Sequence, residues 1–566
     1  MIFDPLASSV VIHQSIVSSF EHNAARFPAK PFLKLELPNE KGTISYGEMH
    51  AFARQRGGEL ITSGAQRGGV VLIFMPQGSL GLSYFIGAML AGFIPSFMPC
   101  PSVKQDPAHY WRAHLALFER IKPVALVTNG QYAADIIAQG LTSDATKLVV
   151  AGSATGSCET FELVQAAPAT TAFLQHSSGT TGLKKGVMLS HGAVLTHVAA
   201  YAKAIQSTED DIVVSWLPVY HDMGFIACFI MPLVLGQTIV LLDPFHWVTR
   251  PATLFQAIFT HSGTLCWMPN FAFEHLSNIV RPDLNTMALH SMRAFINCSE
   301  PCQAASFSRF AERFASIGVQ SGMLHTCYAM AETVFAVSQT DLRVPPRVLT
   351  VDRRALLEHG RIVPAETDQT SRLISTGQPV PGMSIFIKDP VGNALPDGQI
   401  GEIWLAADFL FSGYYNLPDL TAEKLQGKSY KTADRGVIVD GDVYVLGRFD
   451  DLLILNGRNF HAAEIESLLS GIEGLKPGRN VAFARYNDEI GSNDLIVLCE
   501  RTEELQEGEA RLRIRKTIFD ELGLHPAEVG LVEPGWLSKT TSGKISRTRN
   551  AERYALVRSE KSLGRA

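Results

Sequence analysis

With 566 residues, the chain is several times the usual ~150-residue domain, which excludes a single small module. Hydrophobic residues make up 46% and charged residues 18%, which excludes a disordered or fibrous chain. The 49 Lys and Arg against 55 Asp and Glu leave a net charge of −6, with no global pull toward nucleic-acid backbones or anionic lipid, so a nucleic-acid coat protein is excluded.

Met1 to Pro5 carry no basic region and no apolar core follows, so no signal peptide is expected. The charge-free stretch 68–103 is long enough for a membrane span, but Pro76, Gln77, Gly78, Ser79, Ser83 and Pro95 cut it into a strand over 70–75 and a helix over 80–92. Residues 225–242 divide in the same way at Gly236-Gln237, and no membrane span is expected. Short apolar β-rich runs at 125–128, 147–151, 238–242 and 294–297 alternate with helical periods such as 192–205 and 304–317, the pattern of parallel sheets covered by helices. The fold class is α/β. After about residue 375 short strands with turn signals follow, including a hairpin over 437–445 around Asp440-Gly441-Asp442, which predicts a β-rich subdomain over about 375–449. From Asp450 a third texture, with strands at 452–455, 481–485 and 495–499 and a helix over 507–522, predicts a small α+β C-terminal domain, 450–566, after an N-terminal domain of 1–449. The eight cysteines form no Cys-x-x-Cys pair and are expected to be buried thiols in a reducing cytoplasm.

The segment most informative about chemistry is His176-Ser177-Ser178-Gly179-Thr180-Thr181-Gly182-Leu183-Lys184-Lys185-Gly186, directly after a strand-like run. Hydroxyls, glycines that allow close backbone approach and two lysines are what a polyphosphate needs, although a Gly/Ser/Thr cluster alone also suits a surface loop. It is not a Walker A loop, because no Gly-x4-Gly-Lys-[Ser/Thr] spacing occurs.

This loop resembles the phosphate-binding motif of the adenylate-forming superfamily, which includes acyl-CoA synthetases, adenylation domains, luciferases and fatty-acyl-AMP ligases. Six further motifs resemble the family's and stand in its order: His221-Asp222-Met223-Gly224, Ser299-Glu300-Pro301, Tyr328-Ala329-Met330-Ala331-Glu332, Thr432-Ala433-Asp434, Gly447-Arg448-Phe449-Asp450-Asp451 and Lys539-Thr540-Thr541-Ser542-Gly543-Lys544. Residues 215–224, Pro269-Asn270-Phe271-Ala272-Phe273, Asn456-Gly457-Arg458-Asn459 and the segment 341–372 are most similar to fatty-acyl-AMP ligases; the last resembles the insertion that sets those enzymes apart from CoA ligases.

The resemblance implies ATP-dependent, Mg²⁺-assisted activation of a fatty or other hydrophobic carboxylic acid to an acyl-adenylate, followed by transfer to the thiol of an acyl carrier protein. Ser177, Ser178, Gly179, Thr180, Thr181, Gly182 and Lys185 would hold the β- and γ-phosphates, Glu332 the metal, and Lys544, on a mobile C-terminal domain, would bridge the carboxylate and the α-phosphate. Asp434 would accept the ribose hydroxyls beside Arg448, with Tyr328, Ala329, Met330 and the Ser299, Glu300, Pro301 backbone around the adenine. His221 would sit where nucleotide and acyl pocket meet, with Trp216, Trp267, Phe271 and Phe273 lining the pocket; aromatic residues at such spacing equally suit a core. Asp450 would be the hinge. Lys184, His176, Ala329, Ala433, Ser538 and Asp450 depart from the commonest family residues, and Ala433 adds a Cβ where glycine is common, close to the nucleotide. An acyl-CoA or aryl-CoA synthetase using free CoA, and a nucleotide- or acyl-binding module without catalysis, are the alternatives.

Overall fold

The charge-free runs become strands buried on both faces. Val70–Phe74 pairs in parallel with Ile94–Phe97 and Ala125–Thr128, and Lys147–Val150 completes this four-stranded sheet. Such strands have no polar side, which is why they read as continuous Val, Ile and Leu. The structure, a computed structural model, describes residues 13–100, 107–152, 161–177, 185–281, 287–358, 360–365, 370–448, 451–455, 458–469, 472–487, 492–502, 506–539 and 545–563.

A second sheet has nine strands. Pro31–Glu36, Thr238–Leu242, Ile212–Ser215, Leu265–Met268, Ala294–Asn297 and Leu324–Ala329 are mutually parallel in that order. Lys41–Ser45 at one edge and Ala336–Gln339 at the other run antiparallel to these, and Gln378–Pro379 pairs antiparallel with Ala336–Gln339. The sheet is parallel as expected except at these edges, where the connections 37–40 and 330–335 are too short for a parallel crossover. One hydrophobic core joins both sheets and their helices, with Phe85, Phe225 and Phe229 among its fully buried side chains.

The run over 225–242 forms a wide π-helix, Met223–Ile230, then Met231–Leu235, and ends at Gly236 before the strand Thr238–Leu242. Among the described residues no helix is long and apolar enough to cross a membrane. A three-stranded sheet, Thr171–Ser177, Lys185–Ser190 and Gly413–Tyr414, lies beside the large core. Ser384–Lys388, Gly401–Ala406, Leu425–Gln426, Ser429–Val439 and Asp442–Arg448 form a five-stranded antiparallel sheet whose hairpin joins the last two. In the segment 341–372, Val348–Asp352 pairs with Thr370–Ile374, which runs two residues past its end.

The C-terminal strands Leu475–Asn487, Ser492–Arg501 and Glu528–Val532 form a separate sheet, packed by Ala462–Leu469 and Glu507–Leu522 around a core of its own that includes Phe460, Val497 and Ile514. Of the cysteines described, Cys100 and Cys302 are half-buried rather than fully buried; Cys228, Cys266, Cys298, Cys327 and Cys499 are buried, and all seven are free thiols.

Candidate active site

Asp434 owes its position to a bulge. In the pairing of Gly401–Ala406 with Ser429–Val439 the register shifts between Glu402 and Trp404, and Ala433 takes φ = +65° there. Such an irregularity re-aims a side chain. Thr432 holds the bulge by donating its hydroxyl to the Ile403 carbonyl at 2.7 Å while accepting the Asp434 N–H at 2.9 Å. Asp434 then accepts a hydrogen bond from the Tyr328 hydroxyl at 2.5 Å and one from Arg448 Nε at 3.2 Å. Burial pushes its carboxyl above the usual range, and Arg448 and Tyr328 offset part of that shift. Ala433 carries the Cβ that the sequence singled out, in the left-handed region that favours glycine.

Glu332 sits in a second strained turn. Met330 N–H donates to Phe335 O at 2.9 Å, a single 3₁₀ turn spans Ala331–Thr333, and Val334, a β-branched residue, is held at φ = +68°. Glu332 is 9% exposed and accepts the Tyr414 hydroxyl at 2.8 Å. Tyr414, in turn, lies under Lys185, whose Nζ is 5.3 Å from the ring centre. Burial lowers the Lys185 pKa, and Glu332 opposes that shift. Ser177 and Lys185 are register partners in the hairpin of Thr171–Ser177 and Lys185–Ser190, so the loop between them leaves and returns at one point. Ser178, Gly179, Thr180, Thr181 and Gly182 lie outside the described residues, as does the Ser177 side chain.

Lys185, Glu332, Arg448 and Asp434 form one electrostatically connected group with Tyr414, Tyr430 and Tyr328. One or two carboxylates beside a lysine and a phosphate loop are the donor set that Mg²⁺ uses when it shares its coordination with phosphates. Glu332 fits that role, with one carboxylate oxygen taken by Tyr414.

Ser299 has φ = +70° after the strand Ala294–Asn297, and Glu300 turns back so that its carboxylate accepts the Phe271 N–H at 3.0 Å, at the start of the helix Asn270–Ile279. Pro301 is exposed. Ala329 ends the strand Leu324–Ala329, two residues ahead of the Glu332 turn.

His221 Nδ1 lies 2.6 Å from Asp222 Oδ1, which also accepts the Met223 N–H at the start of the π-helix. A π-helical segment beside a site is a common functional device. Gly224 is required there, since a Cβ would stand 2.4 Å from the Pro218 carbonyl oxygen. Trp216 stacks on Trp247 at 3.7 Å, and Phe271 meets Trp216 edge-on at 6.0 Å. Trp247 has no counterpart among the sequence candidates. Trp267 and Phe273 are not brought to this cluster. Trp267 donates its indole N–H to Tyr201 at 2.9 Å, and Phe273 packs against Phe307 and Phe310; both are fully buried core residues.

Lys544 and Asp450 lie outside the described residues. The residues that bracket the Lys544 loop, Lys539 and Ile545, form a β-bridge, and the Lys539 charge is felt at His275, whose ring is 5.5 Å from Trp247. Two further contacts join the body to the C-terminal sheet and helices. Arg435 Nη1 lies 3.2 Å from His461 Nε2, and Arg353, from 341–372, reaches Glu464 at 3.6 Å and Glu521 at 3.8 Å.

The family described as AMP-binding enzyme matches residues 20–415. The chain is 31% identical to the long-chain-fatty-acid–AMP ligase FadD26 of Mycobacterium marinum over 96% of this chain and 98% of that protein. It is 29% identical to the medium-chain-fatty-acid–[acyl-carrier-protein] ligase JamA of Moorena producens over 90% and 89% of the two chains. A solved chain from structural work on fatty acyl-adenylate ligases of E. coli and L. pneumophila superimposes with a TM-score of 0.87, at 23% identity, over 97% of this chain and 98% of its own. The chain therefore belongs to the AMP-binding enzyme family, and its relatives there include fatty-acid–AMP ligases.

Proposed function

We propose that the protein uses ATP to convert a fatty or other hydrophobic carboxylic acid into an acyl-adenylate, then passes the acyl group to the phosphopantetheine thiol of an acyl carrier protein in the cytoplasm. The observation that carries this reading is the convergence of Lys185, Glu332, Arg448 and Asp434, far apart in sequence, beside the Ser177 to Lys185 hairpin. The names of the relatives, fatty-acid–AMP ligases and a fatty-acid–carrier-protein ligase, support the same chemistry.

In the first step a carboxylate oxygen attacks the α-phosphorus, the new P–O bond forms and the bond to pyrophosphate breaks. Two anions must approach, so the protein's work is charge neutralisation and positioning. Lys185 and the loop before it hold the outer phosphates. A Mg²⁺ ion on Glu332, when bound, spreads the phosphate charge. Asp434 accepts the ribose hydroxyls while Tyr328 and Arg448 hold its carboxylate in place. His221, paired with Asp222, serves where nucleotide and acyl pocket meet. Lys544 bridges the carboxylate and the α-phosphate. The C-terminal domain, from residue 450, then pivots at Asp450, withdraws that lysine and admits the thiol, whose sulfur displaces AMP from the acyl carbon.

The test is a mass-spectrometric screen of carboxylic acids for acyl-adenylate, with free CoA and loaded carrier protein compared as acceptors. The expected result is adenylate with hydrophobic acids and thioester on the carrier protein. Robust turnover with CoA favours the CoA-synthetase alternative, and nucleotide binding without pyrophosphate exchange favours the non-catalytic one. Lys544→Ala is expected to abolish adenylation while leaving transfer from supplied acyl-adenylate largely intact; equal loss of both steps would refute its assigned role.

A further inference from the structure

Tyr414 links the two halves of the phosphate site, yet nothing in the sequence marks it. It lies in a short strand, Gly413–Tyr414, that pairs with the strand leaving the phosphate loop, with Gly413 opposite Met188 and Tyr414 opposite Val187. Main-chain bonds continue the pairing on both sides, Ser412 N–H to Met188 O at 2.9 Å and Tyr415 N–H to Gly186 O at 2.8 Å. One residue earlier the partner changes, and Phe411 N–H donates to the main-chain oxygen of Glu332 at 2.8 Å. The segment 411–415 thus stitches the Glu332 turn to the root of the phosphate loop. Gly413 makes the geometry possible at φ = +133°, and the Thr421 hydroxyl accepts the Tyr414 N–H at 2.9 Å.

The Tyr414 side chain repeats this link. Its hydroxyl donates to Glu332 Oε1 at 2.8 Å, its ring face lies under Lys185 Nζ, and it is 3% exposed. A carboxylate beside a lysine would ordinarily form an ion pair with it. Here a phenol takes one carboxylate oxygen and a π-face takes the ammonium, so Oε2 and the ammonium are not consumed by each other.

We propose that Tyr414 is the positioning residue of the nucleotide site: its hydroxyl fixes the Glu332 carboxylate so that the second oxygen is presented to a phosphate-bound divalent cation, and its ring keeps Lys185 directed at the phosphates. This rests on the reading of Glu332 as the metal-binding carboxylate. A hydrogen bond to a charged group is strong enough for its loss to weaken cation affinity by roughly tenfold.

The experiment measures binding as well as turnover. Full-length wild type, Tyr414→Phe, Tyr415→Phe and Glu332→Gln are titrated with Mn²⁺ at fixed ATP, with bound Mn²⁺ read by electron paramagnetic resonance, and the Mg²⁺ dependence of ATP–pyrophosphate exchange is measured in parallel. Tyr414→Phe keeps the ring and is expected to need roughly tenfold more cation in both assays, with kcat at saturating Mg²⁺ within about twofold of wild type. Tyr415→Phe removes a neighbouring hydroxyl with no bond to Glu332 and is expected to titrate like wild type. Tyr414→Leu, which also removes the ring, is expected to raise the KM for ATP at saturating Mg²⁺. A wild-type cation titration for Tyr414→Phe, while Glu332→Gln has lost cation affinity, overturns the proposal and leaves the reading of Glu332 standing. Undiminished cation affinity in Glu332→Gln overturns both.

Discussion

The Tyr328 hydroxyl and the Asp434 carboxylate, 106 positions apart in the chain, meet at 2.5 Å and tie the end of a parallel strand to a bulge in the antiparallel sheet. Asp434 is a buried carboxylate whose ionised form is resisted by burial and favoured by Tyr328 and Arg448. Removing the Tyr328 donor in Tyr328→Phe raises the Asp434 pKa further. The acid limb of the pH–activity profile should therefore move to higher pH, and the KM for ATP should rise about three- to tenfold, the cost of one charge-assisted bond. An unmoved acid limb would show that Asp434 is not the titrating group.

Ala433 offers a direct test of strain at the nucleotide site. An alanine at φ = +65° carries about 1 kcal/mol of backbone strain, which glycine relieves at the expense of a more flexible unfolded chain. Ala433→Gly should leave the unfolding midpoint equal or higher, whereas Ala433→Val should lower stability by about 2 kcal/mol or more. Denaturant unfolding measures both. A glycine variant clearly less stable than wild type would contradict the strained geometry.

Arg353 anchors the segment 341–372 to the C-terminal unit. It donates to the Thr370 carbonyl at 2.8 Å and to the Glu521 carbonyl, besides its contacts with the Glu464 and Glu521 carboxylates. In the same arrangement the Lys539 charge, at the base of the Lys544 loop, is felt at His275. Arg353→Ala should slow acyl-adenylate formation severalfold in single-turnover measurements and spare transfer from supplied adenylate. Equal slowing of both steps would mean that the contact does not select a pose.

Four buried histidines set an acid limit on stability. Burial pushes His191, His197, His325 and His461 down to about 4, against an ordinary 6.5. Each binds fewer protons folded than unfolded between those values, so the stability each contributes is complete above pH 6.5 and falls as pH drops toward 4, by about 2 kcal/mol per residue at pH 5. The thermal midpoint should fall between pH 7 and pH 5, and His197→Gln should show a shallower fall than wild type. A parallel pH dependence in that variant would remove His197 from the account.

The strands at 125–128, 238–242 and 294–297 were legible because a segment buried on both faces must be apolar throughout, and turn residues bound it. The same property hid which face each side chain takes. In Leu265–Met268 every residue is buried, so nothing in the sequence says that Trp267 turns toward Tyr201 and away from Trp216. The motif contexts singled out Glu332, Asp434 and Arg448, which the structure brings into one electrostatically connected group. Tyr414 and Trp247 were not singled out, because their meaning lies in what they touch: Tyr414 pairs with residues more than 200 positions earlier, and Trp247 matters through Trp216. The edge strands escaped for a related reason, since pairing direction depends on connection length rather than on composition.

Two of the contacts between the body and the C-terminal unit differ in kind. Arg435 meets His461, an imidazole held uncharged at neutral pH, whereas Arg353 meets two carboxylates, one of them half exposed. Added electrolyte weakens the second and hardly touches the first. The ionic strength of the surroundings thus loosens the Arg353 carboxylate contacts while leaving the Arg435 contact in place.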